Sequence, residues 1–330
     1  MNNSNFGELL SYYFNNYLQI QKNYSQHTIR SYKLIFKQLI KFLVKEKNVT
    51  IKKLSLNDFT RTNVIDFLND VEKNNTINTR NQRLACIKSF CNYIIYEDIS
   101  NINNIRQILQ IPMKKYDRKE IDYLTKEELN TFLSIIDTNK LKGVRDYTLI
   151  TLLYDSAARA EEITNIRVND LILDGNPSVK LYGKRKKYRT VPITEQTKKL
   201  LVNYISLFKL NNFSYLFSGN KNLKCSTKMI SHIINKYAKK SEINKNIHPH
   251  IFRHTRAMHM LESSVELVYI RDILGHTNIT TTEIYARTNI ETKRKVLENV
   301  YQFAENNNIT DSEWNKNEEL IKLDLCQVFR

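Results

Sequence analysis

Apolar residues recur three and four apart through most of this chain, the spacing that lines one face of an α-helix. Residues 6–21 (FGELLSYYFNNYLQIQ) and 28–46 (TIRSYKLIFKQLIKFLVKE) both carry it, and the second gathers Tyr32, Leu34, Ile35, Leu39, Phe42 and Leu43 into one stripe. Ser25 and Thr28 stand where N-caps would open that second helix. Further helices are predicted over 57–73, with Val64, Phe67, Leu68 and Val71 inward, and over 79–96, with Leu84, Ile87, Phe90, Ile94 and Ile95 inward. These segments make a helical bundle over 1–108. The pattern breaks at 109–122 (LQIPMKKYDRKEID), where Pro112 has no amide hydrogen and basic residues crowd the positions after it. That stretch reads as a solvated linker.

Thr125-Lys-Glu-Glu128 has capping-box spacing and opens a second domain, 123–304. Strand material is confined to about 169–173, 178–182 and 187–193, separated by turns at Asp174–Pro177 and Gly183–Lys186. Three antiparallel strands are expected there. Helical spacing returns near 194–208, 226–239, 250–263, 266–274 and 290–304. A tail over 305–330 ends in a short amphipathic pattern with Trp314, Leu320, Ile321, Leu323 and Leu325 apolar. The expected fold is therefore mainly α: an N-terminal helical bundle, then an α-rich domain with a small antiparallel β-sheet.

Composition narrows the class. The 330 residues are 41% hydrophobic, enough for two sizeable cores, while six Gly and four Pro are too few for a turn-rich β architecture. No stretch approaches the roughly 18 apolar residues of a membrane span, and Met1–Phe6 lack a signal-peptide core. No membrane partner is expected, and a cytoplasmic location is expected. Cys86, Cys91, Cys225 and Cys326 form no CxxC pair and read as reduced core thiols. An excess of 51 Lys+Arg over 34 Asp+Glu leaves +17, which points to a polyanion, nucleic acid foremost. Both domains are basic; the tail is acidic.

Five of seven histidines fall between positions 248 and 276: His248, His250, His254, His259 and His276. His250 and His254 have the spacing of a zinc pair, but position 251 is Ile rather than Glu, so no metal is expected. His250-Ile-Phe-Arg253 instead puts an imidazole and a guanidinium on one helix face, a combination suited to a phosphodiester. Leu274-Gly275-His276 follows, and Tyr285 lies nine residues beyond His276.

In this order the residues resemble the tyrosine recombinase (phage integrase) family. Ser156-Ala-Ala-Arg159-Ala-Glu-Glu162 resembles its first arginine box, and Gly183-Lys184 with Arg189-Thr-Val-Pro192 its hairpin lysine segment. His250-Ile-Phe-Arg253-His254 is similar to the HxxRH box, and His276 and Tyr285 to its last two elements. Ala157-Ala158 departs from a more usual Gly-Leu, and Arg185-Lys-Lys replaces a Gly-containing turn. The resemblance implies a site-specific DNA recombinase that forms a covalent 3′-phosphotyrosyl link through Tyr285 and frees a 5′-hydroxyl. Arg159 and Arg253 would clamp the phosphate, Lys184 would protonate the leaving oxygen, and His250 and His276 would move protons or hydrogen-bond the phosphate. Glu162 would support that network. With this set no cofactor or metal is needed.

Thr79-Arg80-Asn-Gln-Arg83 looks like part of the family's core-binding domain, which makes Arg80, Arg83 and Lys88 candidates for DNA contact alongside Lys186, Lys187 and Arg189. The partners implied are double-stranded recombination sites, a homotetramer built through the C-terminal tail, and accessory directionality proteins. The bundle pattern begins so near Met1 that no separate arm-binding domain is expected before it. Two alternatives remain at this level: a type IB topoisomerase-like enzyme that relaxes DNA, and a DNA-binding protein that does not use its catalytic set.

Overall fold

The computed structural model describes residues 6–48, 50–97, 101–116, 121–183, 188–218, 223–276, 282 and 285. The chain divides into two compact units, Met1–Lys119 and Glu120–Arg330. The predicted helix over 290–304 and the tail over 305–330 lie outside the described residues.

In the first unit, α1 (Phe6–Tyr12) runs directly into a π-wound segment, Tyr13–Gln21. Helix α2 (Gln26–Lys47) starts where Ser25 Oγ accepts the Thr28 amide at 3.2 Å and stops at Asn48, which is left-handed at φ 50°. Thr60 caps α3 (Arg61–Lys73) in the same way, and α4 (Ile77–Glu97) and α5 (Ile102–Leu109) complete the bundle. Tyr13, Phe36, Phe59 and Phe90 fill its centre with edge-to-face aromatic contacts. Burial of Phe90 alone is worth about 2–3 kcal/mol.

Helix α4 buries more than one face, with Cys86, Cys91 and Tyr93 inside as well as Leu84, Ile87, Phe90 and Ile94. Its Arg80, expected to face DNA, is only 4% exposed. One guanidinium nitrogen donates to the Pro112 carbonyl at 3.2 Å and to Asn81 Oδ1 at 3.0 Å. Arg80 is therefore a structural staple, because α4 packs it inward. Asn81 also exchanges hydrogen bonds with the backbone of Lys114, whose ammonium pairs with Glu72 at 2.7 Å. The first half of the segment read as a solvated linker is thus tied down onto the bundle, with Ile111 in its core. Arg83 and Lys88 are half-buried.

The second unit opens with α6 (Lys126–Ser134) under the expected capping box: Thr125 Oγ1 accepts the Glu128 amide and Glu128 Oε2 accepts the Thr125 amide. Helix α7 (Leu141–Asp155) was not foreseen. Its Leu149, Ile150, Leu152 and Leu153 are all fully buried, so apolar residues occupy several faces and no stripe stands out. A short α8 (Ala160–Asn165) follows. Strands β1 (Leu171–Ile172), β2 (Ser178–Tyr182) and β3 (Tyr188–Pro192) form an antiparallel sheet in that order, with Leu181 opposite Arg189. Val179, Leu181 and Val191 point into the core. Among the described residues four further helices follow: α9 (Glu195–Leu207), α10 (Thr227–Ala238), α11 (Pro249–Glu262) and α12 (Leu267–Leu274). Among the described residues no helix is long and apolar enough to cross a membrane.

Candidate active site

Arg159 is the N-cap of α8, and Glu162 reaches back from the first turn to accept its amide at 2.7 Å and its guanidinium at 3.0 Å. Glu162 is buried, at 3% exposure, yet both its oxygens also accept from Arg189 of β3, at 2.8 and 3.0 Å. Burial alone would raise this carboxyl group's pKa. The Arg189 and Arg159 hydrogen bonds and charges outweigh that and hold it below the usual range. It stays ionised and fixes two arginines.

Arg189 was expected to contact DNA. Instead its fork is occupied by Glu162, and its Nε donates to the Ile273 carbonyl at 2.9 Å. It joins β3 and α8 to the end of α12. Gly275, left-handed at φ 63°, ends α12 against it: a Cβ there would stand 2.8 Å from Arg189 Cδ. Close approach and positive φ both require glycine at that position.

Pro249 opens α11, which carries His250, Arg253 and His254 through its first two turns. Arg253 is 3% exposed and donates to two backbone carbonyls, Ala157 at 2.7 Å and Leu274 at 2.6 Å. Those carbonyls adjoin the Arg159 and His276 segments, so one guanidinium ties both boxes to α11. Ala157 accepts this bond from a left-handed backbone at φ 49°, a conformation that costs a β-carbon residue about 1–2 kcal/mol. Burial, then the charges of Arg159 and Arg189, push the Arg253 pKa down to about 9, so it remains cationic at neutral pH.

His250, in the first turn of α11, is exposed as a whole residue, but partial desolvation of its ring and then the charges of Arg253, His248 and Arg159 lower its pKa. His276 lies just past Gly275, with Nδ1 3.0 Å from Thr282 Oγ1. Partial burial and the charges of Arg253, Arg159 and Arg189 bring it to about 4. Tyr285 is 1% exposed, its ring in a small apolar cluster with Ala257, Met258 and Leu274. Burial raises its pKa, and Arg253 and Arg159 oppose that rise. Its hydroxyl lies 2.8 Å from His254 Nδ1.

Five positions read from the sequence (Arg159, His250, Arg253, His276 and Tyr285) therefore converge, with Glu162 supporting them. Lys184, Lys186 and Lys187 lie outside the described residues. Sequence reasoning missed His254 as a partner of Tyr285, although its spacing from His250 on α11 placed the two on one face. Among the described residues no group of three His, Cys, Asp or Glu is placed to hold a metal ion.

A net-positive cluster with a tyrosine buried beside it suits an incoming phosphodiester, and the comparisons decide which family built it. The model of the phage integrase family matches residues 122–292, more than half the chain, and that of the phage integrase N-terminal SAM-like domain matches 13–98. The chain belongs to the phage integrase family. The chain is 31% identical over 275 residues to a tyrosine recombinase of Pseudothermotoga lettingae, covering 82% of this chain and 91% of that protein. It is 30% identical over 295 residues to the tyrosine recombinase XerC of Staphylococcus saprophyticus, covering 88% and 96%. Among solved structures it shares its fold with XerH site-specific recombinase bound to palindromic difH substrate in a post-cleavage complex. The TM-score is 0.69 at 20% identity, over 86% of this chain and 82% of that one. The Tn1549 transposon integrase in complex with transposon right end DNA gives a TM-score of 0.66 at 19% identity, over 88% and 99%. The protein is a site-specific recombinase, an enzyme that breaks and rejoins DNA strands.

Proposed function

We propose that Tyr285 is the nucleophile of this recombinase and that Arg159 and Arg253 hold the scissile phosphate. The observation carrying the reading is the convergence of the two arginines with His250, His276 and Tyr285 in one cluster of net positive charge. Tyr285 Oη attacks phosphorus, the bond from phosphorus to the 5′-oxygen breaks, and a 3′-phosphotyrosyl link holds the strand. The arginines stabilise the charge that builds on the non-bridging oxygens. Lys184 gives its proton to the departing 5′-oxygen. His250 and His276 bond the phosphate and assist proton movement. Rejoining reverses these steps with the 5′-hydroxyl of a second site, so the link conserves the bond energy.

Substrate sites are short duplexes in inverted repeat, bound by the helical unit and the second unit together at the bacterial nucleoid. Fold neighbours named as a XerH recombinase bound to difH substrate and a lambda integrase dimer bound to a core site support a DNA partner and assembly of more than one subunit. Four subunits on two sites, joined through the 305–330 tails, with accessory proteins setting direction, complete the proposal. The deciding experiment is a nicked suicide duplex built on the inverted repeat beside the gene. A covalent protein–DNA adduct mapping to Tyr285 is expected; no adduct at Tyr285 on any bound repeat sinks the assignment. A plasmid with two such repeats should give recombinant products, and relaxation alone would favour the topoisomerase-like alternative.

A further inference from the structure

We infer that His254 is a catalytic residue: its Nδ1 accepts the Tyr285 proton as the phenol oxygen attacks phosphorus. The inference rests on the assignment of Tyr285 as nucleophile. Its basis is geometric. His254 Nδ1 lies 2.8 Å from Tyr285 Oη, with ring centroids 5.7 Å apart, and the tyrosine ring is almost fully buried against α11 and α12. A general base must sit within hydrogen-bond reach of the proton it takes, and this one already does.

The direction of that hydrogen bond follows from acid–base strength. A phenol is a stronger acid than a neutral imidazole N–H, and an imidazole nitrogen is a stronger acceptor than a phenol oxygen. The favoured arrangement therefore has Tyr285 O–H donating to Nδ1, with the His254 proton on Nε2. His254 is neutral in the free protein, its pKa brought to about 4 by partial burial and then by His250, Arg253 and His248. Among the described residues, those three on and before α11, His276 after α12 and Tyr285 itself are the titratable and charged groups that face it. A neutral imidazole can accept; an imidazolium could not.

Phosphate binding adds what the resting site lacks. A diester anion between Arg159 and Arg253 offsets the positive field that depresses His254, so the imidazole becomes more basic when substrate is in place. At cleavage the Tyr285 O–H bond breaks and its proton passes to His254 Nδ1. The Oη–P bond forms, the P–O5′ bond breaks, and the leaving oxygen takes a proton from Lys184. On rejoining, the 5′-hydroxyl attacks, its proton returns to Lys184, and His254 returns its proton to Tyr285. His250, exposed at the mouth of the site, is left to bond the phosphate.

The test measures single-turnover adduct formation by the full chain across pH, on the nicked inverted-repeat duplex, for wild type, His254→Gln and His254→Asn. Either amide can hold the phenol by hydrogen bond but cannot take a proton. Both variants should bind the duplex like wild type in gel shifts, form adduct on the order of 10²–10⁴-fold more slowly, and lose the acid limb of the profile. Replacing the bridging 5′-oxygen with sulfur, whose thiolate leaves unprotonated, should restore a Lys184→Ala variant but neither His254 variant. Adduct formation at the wild-type rate and pH dependence by either variant overturns the inference, as does rescue by sulfur. Absence of a Tyr285 adduct in wild type would instead overturn the nucleophile assignment.

Discussion

Arg80 of α4 and Arg253 of α11 are buried to almost the same degree, at 4% and 3% exposure, and both donate to backbone carbonyls. Their surroundings differ. Arg80 meets Pro112 and Asn81, the point where the chain leaving α5 is fastened back onto the bundle. Arg253 sits amid Arg159, Arg189 and three histidines that stay neutral, and among the described residues Glu162 is the carboxylate that offsets part of that charge. Burial makes a guanidinium rigid in both places. Arg253 lies within a cluster of further arginines and histidines, and under the proposed function that positive excess receives the phosphate.

Substitutions should separate the two roles. The largest effect belongs to the second unit: Tyr285→Phe should abolish the covalent adduct, a loss of at least about 10³-fold in suicide-substrate assays, while gel shifts show duplex binding retained. Arg253→Lys should slow adduct formation by about 10²–10³-fold, the cost of losing one aimed donor set at the phosphate. Arg80→Ala should do the opposite, lowering urea-denaturation stability by about 1.5–3 kcal/mol while the folded fraction cleaves normally. If Arg80→Ala impaired cleavage at full foldedness, the distinction between staple and site would fail.

Acid should weaken the second unit before the first. His254 and His276 fall from an ordinary 6.5 to about 4 on folding, so the unfolded chain takes up protons first as pH drops. Their contribution to stability is complete above about pH 6.5 and is lost as pH falls toward 4. Thermal melts across that window should show the midpoint dropping, and His254→Gln should flatten the slope. The smallest effect is expected at Ala157→Gly, which removes the left-handed penalty at φ 49° but adds backbone entropy to the unfolded chain. A gain of no more than about 1 kcal/mol should appear in the same denaturation assay.

Much of this was legible in one dimension. Capping residues Ser25 and Thr125 and the apolar stripes of α3 and α10 are local signals that the structure follows closely, whereas in α2 the stripe is offset: Leu34 faces solvent and Phe36 is buried. The order Arg159, His250, Arg253, His276, Tyr285 was readable because the segments that carry these residues resemble the tyrosine recombinase family's boxes, while Gly275 is a local signal that ends α12. Helix α7 was not, because a helix buried on several sides loses the one-sided periodicity that reveals it. Arg189 and Arg80 were misread for a related reason: a basic residue in a basic chain looks solvated until packing turns it inward.

The sequence by itself determined which side chains could do chemistry and in what order they appear, since spacing on a helix or a turn is a property of neighbours along the chain. Tertiary structure alone decided who meets whom. It brought Arg189 of β3 onto Glu162 of α8, set Arg253 between Ala157 and Leu274, and placed Tyr285 against His254, 31 positions away. Such contacts depend on how helices and sheet pack around a shared core, and local spacing carries no information about that packing.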